Sequence, residues 1–254
     1  MSRKPRSASF RMRTVEREEL LQQLADLVVT TTRPHPVRIA IDGVDGAGKS
    51  TLADELGRVI AGQGRPVIRA SIDGFHRPRK DRYRRGTDSP EGYALDSFDY
   101  GALITALLAP LGPDGNRRFR RATFDYRSDA PVQAPAETAP PNAILLFDGV
   151  FLMRHELNGH WDLRIFIQAE FDEVMRRAVR RDRALFGSAA TARERYEKRY
   201  FPGQWIYLQA ARPLELADVV VENTNLTRPR LLIRLSPNSP TTTRRHSPNG
   251  GIPG

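Results

Sequence analysis

An eight-residue segment of the chain has the residue types and the spacing that hold a triphosphate. Residues 43–50 read Gly-Val-Asp-Gly-Ala-Gly-Lys-Ser and match the P-loop pattern G-x-x-x-x-G-K-[ST] at every position. Glycines let such a loop curl until its backbone N–H groups point at phosphate oxygens, and the helix that starts near Lys49 adds its positive end. Lys49 would contact the β- and γ-phosphates, and the Ser50 hydroxyl would bind Mg²⁺. The residues predicted to bind ATP are Gly43, Asp45, Gly46, Ala47, Gly48, Lys49 and Ser50 of this segment and Thr51, which follows it.

Two aspartates follow apolar runs that have the pattern of strands. Asp73 ends the run PVIRASID (66–73), and Asp148 lies near the end of AILLFDG (143–149). Ligands of parallel sheets lie at the carboxyl ends of the strands, so Asp73, expected on the strand next to the P-loop strand, would act as general base toward an attacking hydroxyl. Asp148 would join Ser50 in holding Mg²⁺, directly or through water. A plain Asp-Gly turn is the alternative for either aspartate.

A basic run follows Asp73. Residues 77–85 contain Arg77, Arg79, Lys80, Arg82, Arg84 and Arg85. Three interpretations remain open: a solvated surface loop, an acceptor loop that neutralises phosphate charge or an anionic substrate, and a nucleic-acid patch.

Helical and strand patterns alternate around these segments. Apolar strand patterns occupy residues 37–42, 66–73, 118–126, 143–149, 163–169 and 217–223, the last of the set. Helical patterns occupy residues 15–29, 49–61, 97–108 and 172–185, and the Pro-rich residues 129–142 read as a connecting loop. This alternation predicts an α/β fold with a parallel sheet and helices on both faces.

Several segments together resemble one branch of the P-loop kinases. GVDGAGKST, SIDGFHRPR, LLFDGVFL, RRAVRRD and ADVVVEN look like the uridine kinase, phosphoribulokinase and bacterial pantothenate kinase group, across about residues 40–223. The resemblance implies a kinase-type P-loop sheet with a lid helix, ATP and Mg²⁺ as cofactors, and a small-molecule acceptor. It makes Asp73 the general base and places Arg177 and Arg181 in the lid over the triphosphate, with a solvated helix face as the alternative. It also offers Asn223 and Thr224 for a contact near adenine, with a strand-end turn as the alternative.

The acceptor site departs from the uridine kinase pattern. The resemblance offers Phe75, His76, Arg79, Tyr83, Tyr93, Asp96, Asp125 and Tyr126 as substrate-binding residues. Tyr93 stands where such kinases carry a ribose-binding aspartate, Phe124 replaces a tyrosine, and Asp129 replaces a histidine near uracil. Unmatched hydrogen bonds would cost uridine about 1–3 kcal/mol each. A nucleoside is the first expectation, and a pantothenate-like or sugar acceptor is the alternative. A nucleotide hydrolase or switch without an acceptor is the rival class.

The net charge of +10 comes from the ends of the chain. Residues 1–13 and 224–254 are basic and free of acids, whereas residues 14–223 are balanced, so a specific nucleic-acid partner is not expected. We predict disordered basic tails at 1–13 and 224–254 around one kinase domain at 14–223. No apolar run reaches membrane-spanning length, and the absence of Cys favours a reducing compartment, so a cytoplasmic location without membrane contact is expected. A homo-oligomer is compatible with the sequence.

Overall fold

A seven-stranded, mostly parallel sheet lies at the centre of the computed structural model, which describes residues 10–234. The strands are β1 (Phe10–Thr14), β2 (Val37–Gly43), β3 (Val67–Ser71), β4 (Arg118–Phe119), β5 (Phe124–Asp125), β6 (Ala130–Pro131), β7 (Glu137–Thr138), β8 (Ile144–Gly149), β9 (Leu163–Gln168), β10 (Val219–Glu222) and β11 (Arg230–Arg234). The spatial order of the main sheet is β1-β11-β10-β9-β2-β8-β3, and β4 to β7 form two small antiparallel pairs.

Helices cover both faces of this sheet. They are α1 (Arg17–Thr30), α2 (Lys49–Gly62), α3 (Arg79–Arg82), α4 (Pro90–Asp96), α5 (Tyr100–Leu103), α6 (His155–Asn158), α7 (Phe171–Asp182), α8 (Ala189–Arg195), α9 (Phe201–Ala211) and α10 (Pro213–Leu216). A 3₁₀ turn occupies Ile72–Phe75, and π-helical turns occupy Ile104–Leu108 and Tyr196–Tyr200. No helix among residues 10–234 combines the length and apolar character needed to cross a bilayer.

The central strands are apolar on both faces because both faces are covered. Every residue of β2 and of β8 is buried, as expected for parallel strands between two helical layers. Leu52 and Leu56 of α2 pack with Ile39 and Ile41 of β2 on one face. On the other face, residues of α4, α9 and the segment after β8 pack against the sheet. The carboxyl ends of the strands therefore meet at one edge, where the loops that carry the polar residues begin.

One predicted neighbour relation is wrong. The sequence interpretation placed the strand of Asp73 directly beside the P-loop strand, but β8 lies between β2 and β3 and pairs with both. Asp148, at the end of β8, is thus on the strand next to the P-loop. A parallel crossover allows a later strand to be inserted between two earlier ones, and the order of strands along the chain does not show this.

The predicted tail boundaries are also wrong. Residues 10–14 and 230–234 form β1 and β11, and β11 pairs antiparallel with both β10 and β1. Strand β10 is therefore not the last of the sheet. The segment Arg230–Arg234 reads RLLIR, and averaging its apolar residues over a polar tail of thirty-one residues concealed them. The rest of the two predicted tails, residues 1–9 and 235–254, lies outside the described residues.

Other differences concern local structure. The predicted strand 118–126 is divided into β4 and β5, because the amides between them bind elsewhere: Arg120 to the Ala106 carbonyl and Thr123 to the Gly74 carbonyl. The predicted helix 97–108 begins at Tyr100 and continues as a π-helical turn. The sequence analysis did not predict α8 or α9, and α9 proves important for the P-loop.

Candidate active site

The P-loop curls between β2 and α2 through glycines that no other residue could replace without strain. Gly46 has a φ of +80°, and a Cβ there would lie 2.5 Å from the Val174 carbonyl oxygen. Gly48 caps α2 with a φ of +98°, and a Cβ there would lie 2.7 Å from the side-chain nitrogen Nδ2 of Asn223. Positive φ values are costly for residues with a side chain, so the pattern of glycines predicted from sequence has a direct steric reason.

Lys49 lies across the mouth of this loop. Its ammonium group donates a hydrogen bond to the Val44 carbonyl at 2.9 Å and lies 3.9 Å from the Asp45 carboxylate. The side chain is largely buried, with 9% exposed. Lys49 therefore places a positive charge over the curl of backbone at the start of α2, where the sequence predicted that phosphates bind.

Asp45 has a different role from the predicted contact with ATP. Its amide donates to the side-chain oxygen of Gln204 at 2.8 Å. Its carboxylate accepts hydrogen bonds from Tyr93 at 3.0 Å and from the Gln204 amide at 2.9 Å. Because both the amide and the carboxylate are already bonded, Asp45 fixes the P-loop to α4 and α9 instead of presenting a donor to phosphate.

A cleft of about 350 Å³ opens beside the loop. Of the residues predicted to bind ATP, Gly46, Gly48, Lys49, Ser50, Thr51, Arg177 and Arg181 line it, together with Arg17, Arg180 and Asn223. Gly43, Asp45 and Ala47 do not line it. Gly43 packs instead against β9, where a Cβ would lie 2.2 Å from the Ile167 carbonyl oxygen.

Ser50 and Asp148 meet as predicted for a magnesium site. The Ser50 hydroxyl donates to Asp148 Oδ2 at 2.5 Å, and Arg69 donates to Asp148 Oδ1 at 2.9 Å. A hydroxyl and a carboxylate at the phosphate-binding loop form an oxygen donor set of the kind that suits Mg²⁺. Among residues 10–234 there is no group of three or more His, Asp or Glu side chains that could hold a metal. This fits Mg²⁺, which usually has one or two protein ligands and takes the others from phosphate and water.

Asp73 lies in the 3₁₀ turn after β3 and faces the other charged groups of the site. This residue is exposed to water. Nevertheless, the surrounding protein raises the pKa of Asp73 to about 6, chiefly by desolvation and further through the negative charges of Asp45 and Asp148. Lys49 and Arg181 act on this carboxylate in the opposite direction. All four of these groups are thus within electrostatic range of Asp73, although β8 separates β3 from the P-loop strand.

The arginines of α7 differ in how many hydrogen bonds their guanidinium groups form within the protein. Arg177 donates to the carbonyls of Asn223 and Thr224, at 3.1 and 2.8 Å, and to Glu173 at 2.6 Å. Arg180 is exposed in the cleft and has no ion pair or hydrogen bond within the part of the chain that the structure describes. Arg180, which the sequence analysis did not select as an ATP ligand, is therefore freer to contact a triphosphate than Arg177.

The predicted lid residue Arg181 is partly engaged. Its guanidinium donates to both oxygens of Asp182, at 2.8 and 2.9 Å, and to the Tyr196 hydroxyl at 3.0 Å. These bonds fix the side chain at the cleft, where its charge also acts on Asp73. Arg181 thus brings a positive charge of α7, the predicted lid helix, within electrostatic range of Asp73, the predicted general base.

The Asn223 side chain bonds to the backbone of the P-loop. Its side-chain amide donates to the Ala47 carbonyl at 2.7 Å, and its oxygen accepts from Arg17 at 3.3 Å. The Thr224 hydroxyl accepts from the Glu170 amide at 2.9 Å. Both side chains offered for an adenine contact are thus engaged within the protein. Arg17 was missed because only the tertiary structure brings the start of α1 to this cleft.

Three predicted substrate-binding residues have side chains that are buried or bonded within the protein. Phe75 is fully buried and packs against Phe147, with the ring centroids 6.1 Å apart. Tyr93 is buried and bonds to Asp45. Asp96 is 1% exposed and pairs with two arginines of the basic run, Arg84 at 2.6 Å and Arg85 at 2.7 Å. Because these side chains are buried or paired, their predicted substrate contacts are not supported.

Three other predicted residues lie in the β5–β6 turn or in the loop beside Asp73. His76 Nδ1 lies 3.0 Å from the Asp73 carbonyl oxygen, and the His76 ring packs on Tyr126 with centroids 4.8 Å apart. Burial lowers the pKa of His76 to about 4, so its imidazole is neutral near pH 7. The Asp125 carboxylate accepts from the Arg127 amide and the Ser128 hydroxyl and thereby caps the turn.

The last two predicted residues belong to the basic run. The Arg79 side chain is exposed, and its backbone amide donates to Asp129 at 2.8 Å. The guanidinium of Arg199 lies 4.7 Å from the centroid of the Tyr83 ring, so Tyr83 serves in a packing contact.

Comparisons with known proteins identify the family. The model of the Phosphoribulokinase / Uridine kinase family matches residues 38–222. Uridine-cytidine kinase B of Dictyostelium discoideum is 26% identical over 194 residues, which are 76% of this chain and 76% of that protein. The uridine kinase of Chlamydia pneumoniae is 26% identical over 190 residues, which are 72% of this chain and 80% of that protein.

Structural similarity confirms the fold class. A solved structure from Bacillus stearothermophilus, described as a "possible uridine kinase", has a TM-score of 0.63 and 20% identity to this chain. The match covers 80% of this chain and 97% of that one. The predicted α/β sheet of the P-loop kinases is confirmed, as is the resemblance on which part of the prediction depended. Since the family model spans most of the chain, this protein belongs to the Phosphoribulokinase / Uridine kinase family.

Proposed function

We propose that this chain transfers the γ-phosphoryl group of ATP, in the presence of Mg²⁺, to a hydroxyl group of a small molecule. The observation that carries the proposal is the meeting of Lys49, the Ser50–Asp148 pair and Asp73 at one edge of the sheet. A phosphate cradle, a metal-suited oxygen pair and a carboxylate with a raised pKa are the parts that phosphoryl transfer to a hydroxyl requires.

Each part has one task. The amides of the P-loop and Lys49 bind the phosphates, and Ser50 and Asp148 would hold Mg²⁺, which supplies positive charge to the β- and γ-phosphates. Asp73 accepts the proton of the attacking hydroxyl, and a pKa of about 6 keeps it ionised and basic near neutral pH. Arg180 offers unused N–H donors to the triphosphate and helps to stabilise its charge.

Nucleosides are the first acceptors to test, because relatives of this chain are named uridine kinases. A specific observation favours a non-nucleoside acceptor as the second candidate. Tyr93 replaces the ribose-binding aspartate and is bonded to Asp45, while Asp96 is buried between two arginines. Neither side chain can form a hydrogen bond to a ribose without losing the bonds that it has within the protein.

The test is a screen of the purified full-length protein with MgATP against nucleosides, sugars, pantothenate and phosphorylated sugars. ADP release and the mass of the phosphorylated product are measured together. Turnover should require an acceptor and should be lost in Lys49→Met, whereas Lys198→Met, an exposed lysine that pairs with Glu194, should behave as wild type. Hydrolysis that no acceptor stimulates would favour a nucleotide switch, and absence of adenine nucleotide binding would refute the proposal.

A further inference from the structure

Four cations of the basic run and of the turn between β5 and β6 lie outside the salt bridges of this region. Arg77, Arg79, Lys80 and Arg127 have no ion pair among residues 10–234. The carboxylates of the same region are largely committed: Asp96 to Arg84 and Arg85, Asp129 to Arg82, and Asp88 to Arg195. Asp81 acts on Arg84, and Asp125 caps its own turn and also acts on Arg127. These four cations therefore form no salt bridge with a carboxylate of the described residues.

Arg127 is the cation among these that the fold holds beside Asp73. His76 bonds to the Asp73 carbonyl, Tyr126 packs on His76, and the Arg127 guanidinium lies 5.7 Å from the centroid of the Tyr126 ring. The Arg127 Nε also donates a long hydrogen bond, 3.4 Å, to the Tyr126 hydroxyl. The charge of Asp73 acts on the guanidinium. Contacts through His76 and Tyr126 thus connect the Arg127 guanidinium to Asp73, the predicted general base.

Arg127 is not part of the nucleotide cleft. That cleft is lined by the P-loop, α7 and the residues behind them, whereas Arg127 comes from the turn between β5 and β6. The same turn carries Asp129, which accepts from the Arg79 amide and the Arg82 guanidinium and so joins the turn to the basic run. A group bound by Arg127 would therefore belong to the acceptor and not to ATP.

We propose that the acceptor carries an anionic group, a phosphate or a carboxylate, and that Arg127 binds it and thereby determines acceptor specificity. This inference rests on the proposed kinase function. A guanidinium has five N–H donors, of which Arg127 uses one, and its planar fork matches the two oxygens of a carboxylate or phosphate. A neutral acceptor would leave the remaining donors of this exposed guanidinium to water.

Matched acceptor pairs provide the first test. Each pair differs in one anionic group: ribulose 5-phosphate and ribulose, glycerate and glycerol, pantothenate and pantothenol, orotidine and uridine. For at least one pair, kcat/KM should be about tenfold or more higher for the anionic member, since charge-assisted hydrogen bonds are the stronger class. The sugar phosphate and the carboxylates separate the two sources of charge. Preference for neutral members throughout would overturn the inference while leaving the kinase function intact.

Variants assign the preference to Arg127. Arg127→Gln should lower kcat/KM for the anionic acceptor about tenfold or more and change the neutral member less than about threefold, with Arg127→Lys intermediate. Arg58→Gln is the matched control, because Arg58 is an exposed arginine of α2 that bonds to a carbonyl of its own helix. Equal losses for both acceptors in Arg127→Gln, or equal behaviour of the two Gln variants, would contradict the assignment.

A binding measurement tests whether Arg127 binds an anionic group even if no acceptor of the panel is phosphorylated. The protein is saturated with Mg²⁺ and a non-hydrolysable ATP analogue, and inorganic phosphate is then titrated by calorimetry or NMR. Phosphate should bind at least about threefold more weakly to Arg127→Gln than to wild type and to Arg58→Gln. Equal phosphate affinities with a bound analogue would overturn this inference alone. Failure of the analogue to bind would instead remove the kinase proposal and, with it, the inference.

Discussion

The nucleotide half and the acceptor half of the cleft are built differently. The proposed nucleotide half is lined by P-loop residues, by arginines of α7 and by Arg17, and Asp45 of its loop is paired with Gln204 and Tyr93. The proposed acceptor half comes from the basic run and from the turn between β5 and β6, and four of its cations, Arg127 among them, form no salt bridge within residues 10–234. The P-loop contacts of the first half are thus in place within the protein, whereas we propose that the second half binds an anionic group of the acceptor.

One helical stretch joins the two halves. Within the π-helical turn before α9, Arg199 donates to the carbonyls of Gly86, Thr87 and Ser89 in the loop after the basic run. One turn later, Gln204 holds Asp45 of the P-loop. This helical stretch therefore contacts both the loop after the basic run and the phosphate-binding loop.

The largest expected effect separates chemistry from nucleotide binding. Asp73→Asn removes the proposed base without adding or deleting atoms at the P-loop, so phosphoryl transfer should fall by about 10²-fold or more. The affinity for ADP or a non-hydrolysable ATP analogue should stay nearly unchanged. Single-turnover kinetics and calorimetry measure the two quantities. Equal turnover in wild type and Asp73→Asn would remove Asp73 from the mechanism.

A change in the nucleotide half should do the reverse and weaken binding first. In Gly46→Ala the new Cβ would meet the Val174 carbonyl oxygen at 2.5 Å, and the φ of +80° costs an L-residue about 1–2 kcal/mol. Nucleotide affinity should fall by about tenfold to a hundredfold. Gly62→Ala, with no heavy atom within 4 Å of the new Cβ, is the control and should bind nucleotide normally. If both variants bound alike, the loop would be more adaptable than its contacts indicate.

The pH dependence also tests the difference between the halves. The pKa of Asp73, raised to about 6, means that the ionised base is present above that pH and is lost as the pH falls through it. At pH 5 about one tenth of Asp73 would be ionised, so kcat/KM should be about tenfold lower than its plateau. Nucleotide affinity should change much less over this range. An activity that does not change between pH 5 and 8 would contradict the role of Asp73.

The smallest expected effect concerns the link between the halves. Gln204→Leu removes both hydrogen bonds to Asp45, so the P-loop should lose part of its preorganisation and bind nucleotide about three- to tenfold more weakly. Gln209→Leu changes the same residue type at an exposed position of the same helix and should have no effect. Calorimetric titration with ADP compares them. Identical affinities would show that Asp45 does not need this support.

The phosphate-binding loop could be predicted from sequence because its function depends on neighbouring residues. Gly46, Gly48, Lys49 and Ser50 act within one turn of backbone, so the pattern already contains the geometry. The pairing of Ser50 with Asp148 was also predictable, since both follow buried strands whose carboxyl ends meet at one edge of the sheet. The role of Asp45 was not, because its partners come from α4 and α9, nearly fifty and one hundred and sixty residues away.

The sequence by itself determined the fold class, the P-loop and the strand ends that carry Asp73 and Asp148, because local periodicity and contiguous spacing encode them. Tertiary structure alone decided that β8 separates β2 from β3, that β1 and β11 extend the sheet, and that Asp96 is bound by arginines. It also decided that Arg127 lies within electrostatic range of Asp73. These relations depend on which distant surfaces pack together, and no local pattern of residues records the partner of a strand edge or of a charged side chain.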